Sequence, residues 1–197
     1  VAGLAVIGVT VAGPAAALGA RPGLPRPPAA KELRTEYQAQ PNFYYCGPAA
    51  TRIALTVDGA APGQDELAAA LGTTVAGTDS VLDVTRVLND VGDTNDYRTT
   101  AIPGQRATAK QRERMREDIT RAIADGRPVV VNVIGTAADT AGGTHAYPGG
   151  HYLTVVGYRD EGRLVRIADP ANVNGVSSYW MATTDLANWA ATRGYSA

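Results

Sequence analysis

Three side chains in this sequence could support covalent or acid–base chemistry at neutral pH: a single cysteine, Cys46, and two histidines, His145 and His151. A nucleophilic thiol needs a lowered pKa, a base to manage its proton, and donors aimed at the oxyanion that forms on the attacked carbonyl. Cys46 sits in QPNFYYCGPAA, Gln40 to Ala50. Downstream of it, Ala49, Ile53 and Val57 recur every four residues, Pro48 falls in the first turn, and Gly59 is a natural stop. That pattern predicts a helix beginning at or beside the cysteine. A helix N-terminus lowers a thiol pKa from about 8.5 to between roughly 3.5 and 7.5.

His151 follows Gly149-Gly150 and opens the apolar run HYLTVVGY, so its ring is expected at the end of a rigid strand. His145 lies in GTAADTAGGTHAYPGG, which reads as a soft, glycine-rich loop unable to hold an imidazole accurately. His151 is therefore the expected base. Asp169 closes the strand LVRIAD, antiparallel to the His151 strand through a turn at Gly162, and Pro170 ends the ladder. This register brings Asp169 beside His151 to fix its tautomer and stabilise the imidazolium. Gln40, six residues before Cys46, is the candidate side-chain oxyanion donor, with the Cys46 N–H as the second. Tyr45, Gly47, Gly150 and Tyr152, adjacent to nucleophile and base, are the expected substrate contacts. The aromatics Phe43, Tyr44, Tyr45, Tyr147 and Tyr152 read equally well as subsite walls and as core. Taken singly, each feature has an ordinary structural explanation: a buried apolar Cys, a sheet-edge His, an Asp-Pro turn.

One Cys and two His give no zinc-ligand spacing, and no phosphate-cradling glycine motif occurs, so neither metal nor cofactor is expected. Lys and Arg total 18 against 19 Asp and Glu, without a dense basic cluster, which leaves no footprint for nucleic-acid binding. A lone Cys forms no intrachain disulfide, so the hydrophobic residues, 45% of the chain, must supply the stability.

The elements that must position these groups follow from periodicity. Further helices are predicted over 65–71, 80–91 (with Val81, Val84, Leu88 and Val91 on one stripe) and 110–125 (with Met115, Ile119, Ala122 and Ile123 inward). Strands are predicted over 128–134, 151–158 and 164–168, and Trp180 and Trp189 read as packing residues. Helices first and an antiparallel sheet second make an α+β fold. Residues 1–20, uncharged and rich in Ala, Gly and Val, look like an export signal; a membrane anchor is the alternative, weakened by Pro14. Residues 21–30 form a Pro-rich linker, leaving 31–197 as the folded domain, with a secreted or cell-envelope location, no stable membrane domain and a monomeric state expected.

From about Tyr37 onward, YQAQPNFYYCGPAA, GGHYLTVVGY and IADP resemble the papain-like cysteine peptidases of the bacteriocin-processing type, and more closely their stand-alone exported relatives. The resemblance implies a papain-like fold, with the nucleophile at a helix N-terminus packed on a C-terminal antiparallel sheet that carries His and Asp. It implies Cys46 as nucleophile, His151 as general base and acid, Asp169 as orienter, Gln40 as oxyanion donor, and a peptide or protein substrate. Residues 58–125 carry no motif of that family. The alternatives are a transglutaminase-like acyl transferase using the same triad, and a papain-like peptide-binding module without turnover.

Overall fold

Helix α1 (Cys46–Leu55) starts at the cysteine itself. The computed structural model describes residues 26–59 and 61–197; the signal-like segment 1–20 and residues 21–25 of the Pro-rich linker lie outside the described residues. Pro48 is harmless in the first turn, where its missing N–H would have had no intrahelical acceptor. The helix buries Ala49, Ala50, Ile53 and Ala54. Two more helices follow, α2 (Gln64–Leu71) and α3 (Val81–Val91). Ser80 caps α3, its hydroxyl accepting the Leu82 N–H at 3.0 Å. Val81, Val84, Val87 and Leu88 face inward; Val91, expected on that stripe, is 40% exposed because the helix ends there beside Gly92. Helix α4 (Ala109–Ala124) opens on a capping box between Thr108 and Gln111 and buries Met115, Ile119, Ala122 and Ile123, as its spacing predicts.

The remaining elements build one antiparallel sheet. Its strands are β1 (Lys31–Glu32), β2 (Thr99–Ala101), β3 (Val129–Ala138), β4 (Thr144–Arg159), β5 (Leu164–Ala168), β6 (Ser178–Ala182) and β7 (Gly194–Ser196), with the short helix α5 (Thr183–Trp189) between the last two. The order is β2-β7-β3-β4-β5-β6, and β1 also pairs with β4. Strand alternation divides the core. Val129, Val131 and Val133 of β3 join Leu153 and Val155 of β4 in a cluster with α4 and α5, whereas Val130 and Tyr152 join α1, α2 and α3. The sheet is thus covered on both faces, and α4 lies opposite the other N-terminal helices instead of in one helical half with them. Thr154 ties β4 to α1 by donating to the Ala50 carbonyl at 2.8 Å.

Two sequence readings need correction. The stretch around His145 is the distal part of a β3–β4 hairpin, with Ala137 opposite His145 and Gly135 opposite Tyr147, beyond a register shift after Val133. Strands thus extend on both sides of a tight turn that the many glycines had suggested was a loop. Residues 26–30 of the Pro-rich linker rest on the fold: the Pro28 carbonyl accepts from the Tyr158 hydroxyl, and the Ala29 carbonyl accepts from the Glu161 N–H.

The split in burial along α3 makes a direct prediction. Leu88→Ala should lower unfolding free energy by about 2–5 kcal/mol, and Val91→Ala by less than about 0.5 kcal/mol. Urea denaturation of the two variants checks it.

Candidate active site

Asp169 follows the last paired residue of β5, since Ala168 is opposite Thr154 of β4. Its carboxylate is buried, and a group so placed must be met by donors or lose its charge. Four donors meet it. His151 Nε2 lies 2.7 Å from Oδ1, and the Ala171 N–H donates to the same oxygen at 3.0 Å. The hydroxyls of Tyr147 and Tyr179 donate to Oδ2 at 2.9 and 2.8 Å. Burial raises the Asp169 pKa, but its hydrogen bond and charge interaction with His151, with the bonds from Tyr179 and Ala171, hold it below the ordinary carboxylate value.

His151 opens the buried stretch of β4 and is itself buried. Tyr147 stacks on its ring, with centroids 3.9 Å apart, and Trp189 lies against the far side of Tyr147 at 5.8 Å. With Nε2 committed to Asp169, Nδ1 is the nitrogen left to serve Cys46, which lines the same cleft. Burial lowers the His151 pKa, but Asp169 and Cys46 together raise it to about 9.

Cys46 stands in the first turn of α1, whose N-cap residue, Tyr45, provides no side-chain cap. First-turn N–H groups have no intrahelical acceptor, and the backbone N–H groups of Gly47 and Tyr152 both act to lower the Cys46 pKa. Burial raises the thiol pKa; His151 and these two N–H groups more than offset it and leave the pKa below its ordinary value. A lowered thiol beside a raised imidazole describes a thiolate–imidazolium pair. The pair faces a cleft of about 160 Å³ whose walls include Asp79, Asn132, Gly149, Gly150, Tyr152 and Arg193.

The structure therefore brings together Cys46, His151 and Asp169. Gln40 is tied to the same region through its N–H, which donates to the Pro170 carbonyl at 2.9 Å. Its side-chain Nε2 donates to the Asn42 carbonyl at 2.8 Å, and its buried Oε1 has no partner. Of the expected substrate contacts, Gly150 and Tyr152 line the cleft, Tyr152 being buried with its hydroxyl on the Thr78 carbonyl at 3.3 Å. Tyr45 and Gly47 lie off the cleft. The Tyr45 hydroxyl donates to Asp65 at 2.9 Å, and Gly47 packs so tightly that a Cβ there would sit 2.2 Å from Thr78 Oγ1. His145 forms a separate pair with Asp139 at 3.0 Å and stacks on Tyr179 at 3.7 Å, supporting a residue that holds Asp169. Sequence reasoning left open whether Tyr147 was core or subsite and gave Tyr179 and Arg193 no role; a tyrosine hydroxyl meets Asp169 only through strand pairing that periodicity does not reveal.

Solved structures of other proteins superpose on this chain. A C39-like peptidase from Bacillus anthracis superposes with a TM-score of 0.57 at 11% identity, covering 85% of this chain and 96% of that one. The peptidase domain of Streptococcus ComA, a bifunctional ABC transporter of a quorum-sensing pathway, gives 0.52 at 15% identity over 82% and 96%. Xylellain, a cysteine protease from Xylella fastidiosa, gives 0.54 at 14% identity over 86% and 84%. These similarities establish a shared fold. No curated protein matches the sequence.

Tyr179→Phe keeps the stack on His145 but removes one of the four donors to Asp169. Stability near neutral pH should fall by about 1–3 kcal/mol. The wild-type contribution of a depressed carboxylate is present above its unfolded pKa and lost as pH falls through the folded value. The deficit of the variant should accordingly shrink in acid, measured by urea unfolding across the acid range. Residues 32–197 match the family model described as the Peptidase_C39 like family; carrying a cysteine, a histidine and an aspartate assembled in this way, the chain belongs to that family of papain-like, cysteine-type peptidases.

Proposed function

We propose that the protein hydrolyses a peptide amide bond through a thioester on Cys46. The observation that carries this reading is the thiol–imidazole–carboxylate chain from Cys46 through His151 to Asp169, closed by a 2.7 Å contact and open to a cleft. The Cys46 thiolate attacks the carbonyl carbon, and the charge that develops on the carbonyl oxygen is met by the Cys46 N–H and the second N–H of the Gln40 amide, the first being held by Asn42. The imidazolium of His151 gives its proton to the leaving amine as the C–N bond breaks, leaving a thioester and a free amine. Neutral His151 then takes a proton from water, whose oxygen attacks the thioester; the acid product leaves and the thiolate–imidazolium pair is restored. Asp169 holds the imidazole with Nε2–H toward itself throughout and is never protonated.

The same thioester could pass to an amine, which would make the enzyme an acyl transferase. Membership of a peptidase family favours hydrolysis. We place the enzyme outside the cytoplasm on the strength of the uncharged, small-residue composition of residues 1–20.

Incubation with a peptide library followed by acid quench should reveal by intact mass an acyl adduct on the wild type and none on Cys46→Ala. His151→Ala should lower kcat/KM by about 100- to 10,000-fold. Products lengthened by an added amine, in place of free acids, would establish transfer. The pH profile of kcat/KM should be bell-shaped, falling in acid as the thiolate is protonated and again above about 9 as the imidazolium loses its proton. A flat profile, or turnover by Cys46→Ala, would refute the mechanism.

A further inference from the structure

The cleft beside Cys46 holds one cation whose role the mechanism does not use. Arg193 precedes β7, in the turn after α5, and its backbone is fixed: its N–H donates to the Ala190 carbonyl at 3.0 Å and its carbonyl accepts the Ile102 N–H at 3.0 Å. Thr192 before it has φ +67, and Gly194 after it leaves no room for a Cβ, which would meet the Thr100 carbonyl oxygen at 2.5 Å. The turn is over-determined, which fixes the direction in which the Cα–Cβ bond leaves it. The side chain reaches Gly150, the residue before His151, where Nη2 comes within 3.6 Å of the position a Cβ would take. Gly150 has φ +97 and carries no side chain, which opens the cleft wall to the guanidinium.

Arginine is rarely taken out of water without an anion. Arg193 is half-buried, its Nε is buried with no hydrogen-bond partner, and among the described residues no carboxylate forms an ion pair with it. Of the other half-buried arginines, Arg52, Arg116, Arg127 and Arg166 each have a carboxylate partner, and Arg112 donates to the Ala107 carbonyl. Asp79, which also lines this cleft, is exposed and forms no ion pair among the described residues. The cleft therefore presents a half-buried positive group on one wall and a solvated negative one elsewhere on its rim, with Cys46 among the residues between them.

We propose that Arg193 is a specificity-determining residue that binds a carboxylate of the substrate close to the scissile bond. The planar guanidinium offers two parallel N–H donors, a geometry suited to a carboxylate and unsuited to a neutral amide. Two sources share this chemistry: an Asp or Glu side chain flanking the cleaved bond, and the free carboxylate of a chain end. The inference rests on the peptidase reading given above, and Asp79 opposes it electrostatically, lowering the affinity of the cleft for anions.

A pair of alkylating agents tests it without knowledge of the substrate. Iodoacetate and iodoacetamide form the same bond to Cys46 Sγ with loss of iodide, and differ in a carboxylate against an amide. The rate ratio of iodoacetate to iodoacetamide, followed by intact mass on the full chain, should fall about tenfold in Arg193→Gln, the scale of one charge-assisted hydrogen bond. It should be largely kept in Arg193→Lys and should rise in Asp79→Asn. If Arg193→Gln is poorly folded, as thermal melting would show, the Arg193→Lys and Asp79→Asn ratios carry the test alone. A ratio unchanged by Arg193→Gln and Asp79→Asn, with iodoacetamide still reacting fast, overturns the assignment of Arg193 and leaves the peptidase reading standing. Slow iodoacetamide labelling in the wild type overturns both. On a peptide that the wild type cleaves, replacing flanking Glu by Gln and amidating the C-terminus separate the two sources, the replacement that slows cleavage about tenfold naming the carboxylate; no slowing by either overturns the proposal.

Discussion

The buried carboxylate of Asp169 is the constraint around which the rest of this structure is arranged. An isolated carboxylate away from water would be several kcal/mol unfavourable and would neutralise itself by taking up a proton. Here four donors from three directions keep it charged: a histidine on β4, a tyrosine on the outer half of β4, a tyrosine on β6 and a backbone N–H of the following loop. The charge so retained raises His151, and a charged His151 lowers Cys46. Nucleophile activation is in this sense the far end of a chain that begins with two tyrosine hydroxyls.

That arrangement explains features of the fold that would otherwise look incidental. The β3–β4 hairpin continues past its register shift because Tyr147, which both stacks on His151 and bonds Asp169, lies on that extension. Trp189 at the end of α5 backs Tyr147, and the His145–Asp139 pair backs Tyr179 through a 3.7 Å stack. Both tyrosines are thereby held in one rotamer, which a hydrogen bond to a buried charge requires. On the other face of the sheet, α1 brings the thiol to the strand end, and the bond from Thr154 to the Ala50 carbonyl fixes that helix against β4.

Much of the site was legible in the sequence because its signals are local. A cysteine opening a helix, a histidine opening an aliphatic strand and an Asp-Pro closing the next strand are each set by a few neighbouring residues, and the hairpin at Gly162 relates two of them. The helices α1, α3 and α4 were legible from 3.6-residue periodicity and capping residues. What was illegible is long-range. Tyr179 meets Asp169 only because β6 pairs with β5, and β6 is too short and too near α5 for its alternation to stand out. The short strands β2 and β7 form because they pair with each other, not because of any pattern of their own. The glycines near His145 suggested a loop, whereas they serve the turn of a hairpin. His145 and His151 both lie on β4, and what distinguishes them is which carboxylate each one faces.

Nucleophilic chemistry at this site depends on the thiolate–imidazolium pair. Its most direct test is the ultraviolet absorbance of the Cys46 thiolate, taken as the difference between wild type and Cys46→Ala and titrated from acid to alkaline pH, with Asp169→Asn in parallel. If the pair exists, thiolate absorbance is already present at neutral pH in the wild type, with most of it displaced to alkaline pH in Asp169→Asn. Absorbance that grows in only near the ordinary thiol pKa of about 8.5, and is indifferent to Asp169, would contradict it.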